Sequence, residues 1–294
     1  MDWAQFDDLI SAAVEEDHCR DDITTNSLVP KSATATASFV CKEDGVICGL
    51  DLARRLCNIY DAELVLEKYQ EDGDLVNAGT SVCGLTGKAR AILQLERTVL
   101  NFLQRLSGVA TLTRRYVDAI EGTGAKILDT RKTTPGWRHL HKYAVRCGGG
   151  TNHRMGLHDM VLIKDNHIRM RRHETSSGTR DNLGDIVRDL KSMIEDLPVE
   201  VEVENLQELR EVLEAEPDYI LLDNMSPEQF EKARQIVNEI CKVDKRPLLE
   251  ASGAITLATA GSYAEAGADR ISVGELTHSA PALDISANIV TQTP

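Results

Sequence analysis

VEVEVENLQELREVLEAEPDYILLDN, residues 199–224, holds two short apolar runs with a helical stretch between them, and each run closes on polar residues. The same grammar recurs in AKILDTRK (125–132), MVLIKDN (160–166), PLLEASG (247–253) and RISVGE (270–275), which brings the number of such runs to six. Apolar runs alternating with helical stretches predict parallel strands joined by helices, not a sandwich. Six strands are fewer than the eight of a closed α/β barrel, so either the barrel is incomplete or two strands are unmarked. In a barrel the chemistry gathers at the carboxyl ends of the strands, where the βα loops converge. Those ends hold Asp129, Arg131, Lys132, Lys164, Glu204, Asp223, Ser252 and Gly274.

Upstream, ATATASFVCKEDGVICGL alternates like a sheet and EDGDLVNAGT is rich in turn residues, so residues 1 to about 85 read as a separate α+β unit. From Ala89 a helix is expected. Its apolar stripe is Ile92, Leu95, Val99, Phe102, Leu103 and Leu106, and its polar face carries Gln94, Arg97, Asn101, Gln104 and Arg105. That polar face either meets water or brings Arg97 to another subunit. The last stretch, SAPALDISANIV, has helical content and is expected to pack back onto the first domain.

The chain has 294 residues, a net charge of −14 and 42% apolar residues, which indicates a globular protein with ample core. An acidic surface of this size repels nucleic acid and anionic membranes. No window approaches the roughly 18 apolar residues of a membrane span, and the start MDWAQFDDLI has no leader character, so neither membrane nor export is expected. Seven cysteines, scattered and without a CxxC pair, read as reduced thiols of a cytoplasmic protein.

Against that acidity, residues 128–167 carry seven Lys/Arg, five of the eight His and three consecutive glycines. Such a run points to a pocket for a small polyanion. Arg131 and Lys132 lie just past a strand, and NHR and KDNH add His153, Arg154 and Lys164. Arginine grips a carboxylate bidentately and lysine adjusts to a second, so the set suits an aromatic diacid. His139, His141, His153 and His158 lack a cysteine pair or HExxH, so zinc is not expected. His153 reads as a donor to substrate, and His139 and His141 as residues of a surface helix. Glu204 and Asp223 are able to coordinate Mg²⁺, bind sugar hydroxyls, stabilise a cationic transition state or simply cap helices. Ser252, Gly253 and Gly274 suit a phosphate, since barrels often bind one at the last two strands. The sequence has neither GxxxxGK[ST] nor a strand-borne GxGxxG, so no nucleotide triphosphate or dinucleotide is indicated.

DDITTNSLV, ERTVLNFLQRLSGVAT, DTRKTTPGWR, KYAVRCGGGTNHR, VLIKDNH, VEVEN, LLDN, EASGAI and ISVGELTHSAPALDIS, in this order along nearly the whole chain, resemble the quinolinate phosphoribosyltransferases, the decarboxylating family of NAD synthesis. The resemblance implies an α/β protein with an N-terminal α/β sandwich over residues 1–110, and an incomplete TIM-like barrel over 111–275. It implies a tail, 276–294, that returns to the first domain. It further implies a homodimer at least, with shared active sites, quinolinate and phosphoribosyl pyrophosphate as substrates, Mg²⁺ as cofactor and no organic cofactor. Carried onto this chain, Arg97 would come from the partner subunit; Arg131, Thr133, His153, Arg154 and Lys164 would surround quinolinate, with Lys132 at the reacting centre. Glu204 and Asp223 would serve ribose and Mg²⁺, directly or through pyrophosphate, while Ser252, Gly253 and Gly274 would take the 5-phosphate. Two departures stand out: the basic stretch 168–184 replaces a small-residue linker, and ASGAI replaces ASGG or ASGN. The rival readings are a nicotinate-using transferase of the same architecture and a non-catalytic binder of anionic metabolites.

Overall fold

The structure, a computed structural model, describes residues 1–174, 182–194 and 196–291, with the side chains of 172–174 left aside. Most of the basic stretch 168–184 therefore lies outside the residues whose side chains are described. The chain divides into two compact units: residues 1–114, 134–149 and 276–294 form the first, and 115–133 with 150–275 the second. Residues 134–149, expected within the barrel, fall in the first unit. Helix Arg138–Cys147 belongs to the first unit because Tyr143 donates to Asp72 at 2.8 Å and Trp137 stacks on Phe102 at 5.1 Å.

In the first unit a four-stranded antiparallel sheet centres on strand Thr34–Cys41. Alternation turns Ala35, Ala37, Phe39 and Cys41 inward, each at most 1% exposed. Ser81–Lys88 pairs along one side and Ile285–Thr291 along the other, with Val65–Lys68 beyond Ser81–Lys88. The C-terminal segment is thus a strand where helical content was expected: ISANIVT alternates, and the open edge of Thr34–Cys41 supplies hydrogen bonds that local propensity does not count. Helix Ala89–Ala119 buries every residue of the stripe read from the sequence. Fully burying one leucine of that stripe contributes roughly 1.5–3 kcal/mol. Its polar face holds the tail: Gln104 donates to the Ile285 carbonyl at 2.7 Å, and Arg105 to Ala280 at 2.5 Å. Gly108 permits that passage, since a Cβ there would overlap the Pro281 carbonyl.

In the second unit six parallel strands run in the order Lys126–Leu128, Arg270–Ser272, Leu248–Ser252, Tyr219–Asp223, Val199–Val203 and Val161–Ile163. The first and last of these strands are not paired with each other among the described residues, so the barrel is open at that seam. Asn205 and Ser226 cap the helices after two of these strands, Ser226 with a full capping box and Pro227 in the first turn. No described helix is long and apolar enough to cross a membrane.

Candidate active site

Strand alternation decides what faces the barrel interior. Along Val199–Val203 the valines are fully buried on one side, and Glu200 and Glu202 fall on the other. By the same period Glu250 and Ser252 share a face of Leu248–Ser252, and Arg270 and Ser272 share a face of Arg270–Ser272. The carboxyl ends of the strands open onto a cavity of about 270 Å³ within the second unit.

One wall is cationic, with Arg131, Lys132, Arg154 and Lys164 beside His153; facing the same space are Glu202, Asp223, Ser252 and Ser272. Burial lowers the Arg154 pKa, and the Arg131 charge lowers it further, so the two guanidiniums repel. Arg154 gives one N–H to the Met160 carbonyl at 3.2 Å, and Arg131 makes no ion pair among the described residues. Lys164 is paired with Glu202. Asp223 accepts from the Asn224 side chain at 2.7 Å.

Beneath this wall lies a buried ion network. His153 Nε2 stands 3.1 Å from Glu200 and 3.3 Å from Glu250, and both carboxylates are fully buried. Arg270 pairs with Glu250 at 2.7 Å, and the Ser272 hydroxyl bonds the same carboxylate. Burial alone would lower the His153 pKa; the two glutamates outweigh it and push it up to about 9. Burial would likewise raise Glu250, but His153, Arg270 and Ser272 hold it at about 2. Glu200 goes the other way, raised by burial and by the Glu250 charge, and neither of its oxygens makes an aligned hydrogen bond. The Arg154 backbone N–H lies 2.7 Å from Nδ1, a contact that the second ring proton has to displace, while the Nε2 proton faces the glutamates in either state. Asp129, also fully buried, accepts the His153 backbone N–H at 3.0 Å and sets the loop in place. The atoms of His153, Glu200 and Glu250 lie within 4.8 Å of one another, as metal ligands would. The Nε2 proton and the Arg270 contact instead fill this cluster with internal pairing, so it reads as a support for the cavity floor.

Of the residues expected from sequence, Arg131, Lys132, His153, Arg154, Lys164, Asp223 and Ser252 line this cavity, and Thr133, Gly253 and Gly274 adjoin lining segments without lining it. Glu204 requires correction. The strand ends at Val203, Asn205 already caps the next helix, and the exposed Glu204 gives its N–H to Glu208 at 2.8 Å. Glu202, two residues earlier, takes the place in the cavity that the sequence reading gave to Glu204. Period-two alternation in VEVEVEN was the signal for it. His141 is also corrected: its helix exists, but the ring is fully buried, and burial lowers its pKa to about 4. Arg97 is exposed in the first unit and lines another cavity there with Asn101, Phe102 and Trp137.

Gly253 has φ +96°, and a Cβ would collide with the Asn224 side chain. Asn224 and Ala254 also take left-handed φ, +54° and +44°, and the Asn224 N–H bonds the Ser252 carbonyl at 3.0 Å. The ends of the two strands are thereby tied beside Asp223 and Ser252.

An open parallel barrel with clustered cations facing carboxylates and hydroxyls at its strand ends is the form of an enzyme that handles polyanions. Residues 22–107 match the N-terminal domain of quinolinate phosphoribosyl transferase and residues 109–288 its C-terminal domain. The nicotinate-nucleotide pyrophosphorylase [carboxylating] of Mycobacterium leprae is 42% identical over 273 residues, 91% of either chain. NadC from Streptococcus pyogenes superposes with a TM-score of 0.89 at 38% identity over 100% of this chain and 99% of that one. The nicotinate-nucleotide pyrophosphorylase of Francisella tularensis does so with 0.88 at 36%, covering 99% and 98%. The chain belongs to the quinolinate phosphoribosyl transferase family.

Proposed function

We propose that the protein transfers the phosphoribosyl group of phosphoribosyl pyrophosphate to quinolinate with loss of CO₂, giving nicotinate mononucleotide and pyrophosphate for NAD synthesis. The observation that carries this reading is the Arg131–Arg154 pair: two mutually repelling guanidiniums, neither matched by a carboxylate in an ion pair among the described residues, favour a dianion over a monoanion. Lys132, His153 and Lys164 line the same cavity.

In this reading Arg131 and Arg154 hold the two carboxylates of quinolinate, which aims the ring nitrogen at the anomeric carbon. Glu202 and Asp223 stabilise the oxocarbenium character that develops there as pyrophosphate departs. Lys132 offsets charge on the leaving group. Ser252 and the tied loop at Gly253 receive the 5-phosphate. Once the nitrogen is bonded to ribose, its positive charge stabilises the electron pair left on C2 as CO₂ leaves, and protonation of that carbon completes the product. Mg²⁺ suits the oxygen donors of Asp223 and Glu202, which would hold it, and bound there it would offset pyrophosphate charge. We further propose a cytoplasmic homodimer in which Arg97 serves the partner's site, supported by its exposure and by the absence of any ion pair to it among the described residues.

Calorimetric titration tests the carrying observation. Arg131→Ala removes a charge-assisted contact worth roughly 1.5–3 kcal/mol, so quinolinate affinity is expected to fall at least about tenfold. An unchanged affinity in the folded variant would contradict the assignment.

A further inference from the structure

The first unit carries a cavity of about 340 Å³ that the reaction above does not use. Arg20, Lys31, Lys88 and Arg90 line it, with Asp61 the single lining carboxylate. Lys88 is paired with Glu63 at 2.6 Å. The two arginines are anchored instead by neutral acceptors: Arg20 donates to the Tyr60 carbonyl at 2.9 Å and lies 4.4 Å over the Tyr60 ring, and Arg90 donates to the carbonyls of Val29 at 2.7 Å and Asn26 at 3.1 Å. Carbonyls and a ring face fix a guanidinium without cancelling its charge. Neither arginine, nor Lys31, makes an ion pair with a carboxylate among the described residues. Four cations stand against Asp61, Glu63 and Asp22, whose charge also reaches Tyr60, so the cavity keeps a cationic excess in a chain of net −14.

We infer that this cavity is a binding site for a small phosphate monoester. A phosphate group carries close to −2 at neutral pH, opposite in sign to the local excess, and arginines with fixed planes suit its oxygens. The volume lies at the small end of ligand pockets, enough for a phosphate with a modest organic part. A chain of side chains equips the same wall for hydroxyl groups: Tyr60 donates to Gln94 at 2.8 Å, and Gln94 donates to Asn26 at 3.2 Å.

Equilibrium dialysis with radiolabelled orthophosphate at low ionic strength tests the site on the full-length protein. Lys31→Glu reverses an exposed charge that makes no side-chain hydrogen bond or ion pair among the described residues, so it is expected to leave thermal stability and turnover unchanged and to remove one bound phosphate per chain. The count drops from two to one if the barrel cavity also takes phosphate, and from one to zero if it does not; the test therefore stands apart from the proposed reaction. An equal count in the wild type and Lys31→Glu would overturn the proposal. So would loss of oligomerisation in Lys31→Glu with the count unchanged, because the cations would then face carboxylates of a second copy.

Discussion

Glu202 and Glu204 have the same charge and lie two residues apart, yet the end of one strand separates their fates. Glu202 is paired with Lys164 at the cavity, while Glu204 is turned out by the Asn205 cap. Isosteric neutralisation distinguishes them: Glu202→Gln is expected to lower kcat by a factor on the order of 100, as removal of preorganised transition-state electrostatics does, and Glu204→Gln to leave it within about twofold. Steady-state kinetics on the two variants checks this, and a Glu204 effect larger than the Glu202 effect would reverse the assignment. His153 gives a second prediction at this scale. Its folded pKa, about 9, lies above the ordinary 6.5, so its contribution to stability is complete below pH 6.5 and is lost as the pH rises toward 9. Melting temperature is expected to fall over that window in the wild type, and that part of the fall to vanish in His153→Gln. A wild-type profile flat from pH 6.5 to 9 would show that the imidazole gains no proton affinity from Glu200 and Glu250.

At the scale of elements, the turn after strand Leu248–Ser252 is where this chain has ASGAI in place of the ASGG or ASGN that the resemblance implies. Ala254 sits at φ +44°, where an L side chain other than Asn is strained by roughly 1 kcal/mol and glycine is not. Ala254→Gly is therefore expected to stabilise the protein by up to about 1 kcal/mol, read as a higher melting temperature; a lower one would mean that the turn is unstrained. The long helix and the barrel strands were legible in the sequence because their burial follows a period the chain itself displays, as in Ile92, Leu95, Val99 and in Val199, Val201, Val203. What was not legible depended on partners distant in the chain. Ile285–Thr291 becomes a strand only because Thr34–Cys41 offers it an edge, and helix Arg138–Cys147 joins the first unit through Asp72 and Phe102. Glu200 and Glu250 went unnoticed because a buried carboxylate signals function only when its pairing with His153 and Arg270 is visible.

For the molecule as a whole, an acidic chain places four of the seven cations of its densest run, Arg131, Lys132, Arg154 and Lys164, at one open barrel end, where net charge keeps other polyanions at a distance and the cavity selects a small one. The diacid preference proposed for Arg131 and Arg154 and the cationic ring formed from the proposed substrate make a joint claim: transfer and decarboxylation happen together, and only with quinolinate. The most direct measurement supplies the purified protein with Mg²⁺, phosphoribosyl pyrophosphate and quinolinate labelled in the 2-carboxylate, and follows nicotinate mononucleotide and released CO₂, with nicotinate as the control acid. Equal amounts of both products from quinolinate, and no mononucleotide from nicotinate, are expected. Turnover of nicotinate alone, or mononucleotide formed without CO₂, would contradict the account.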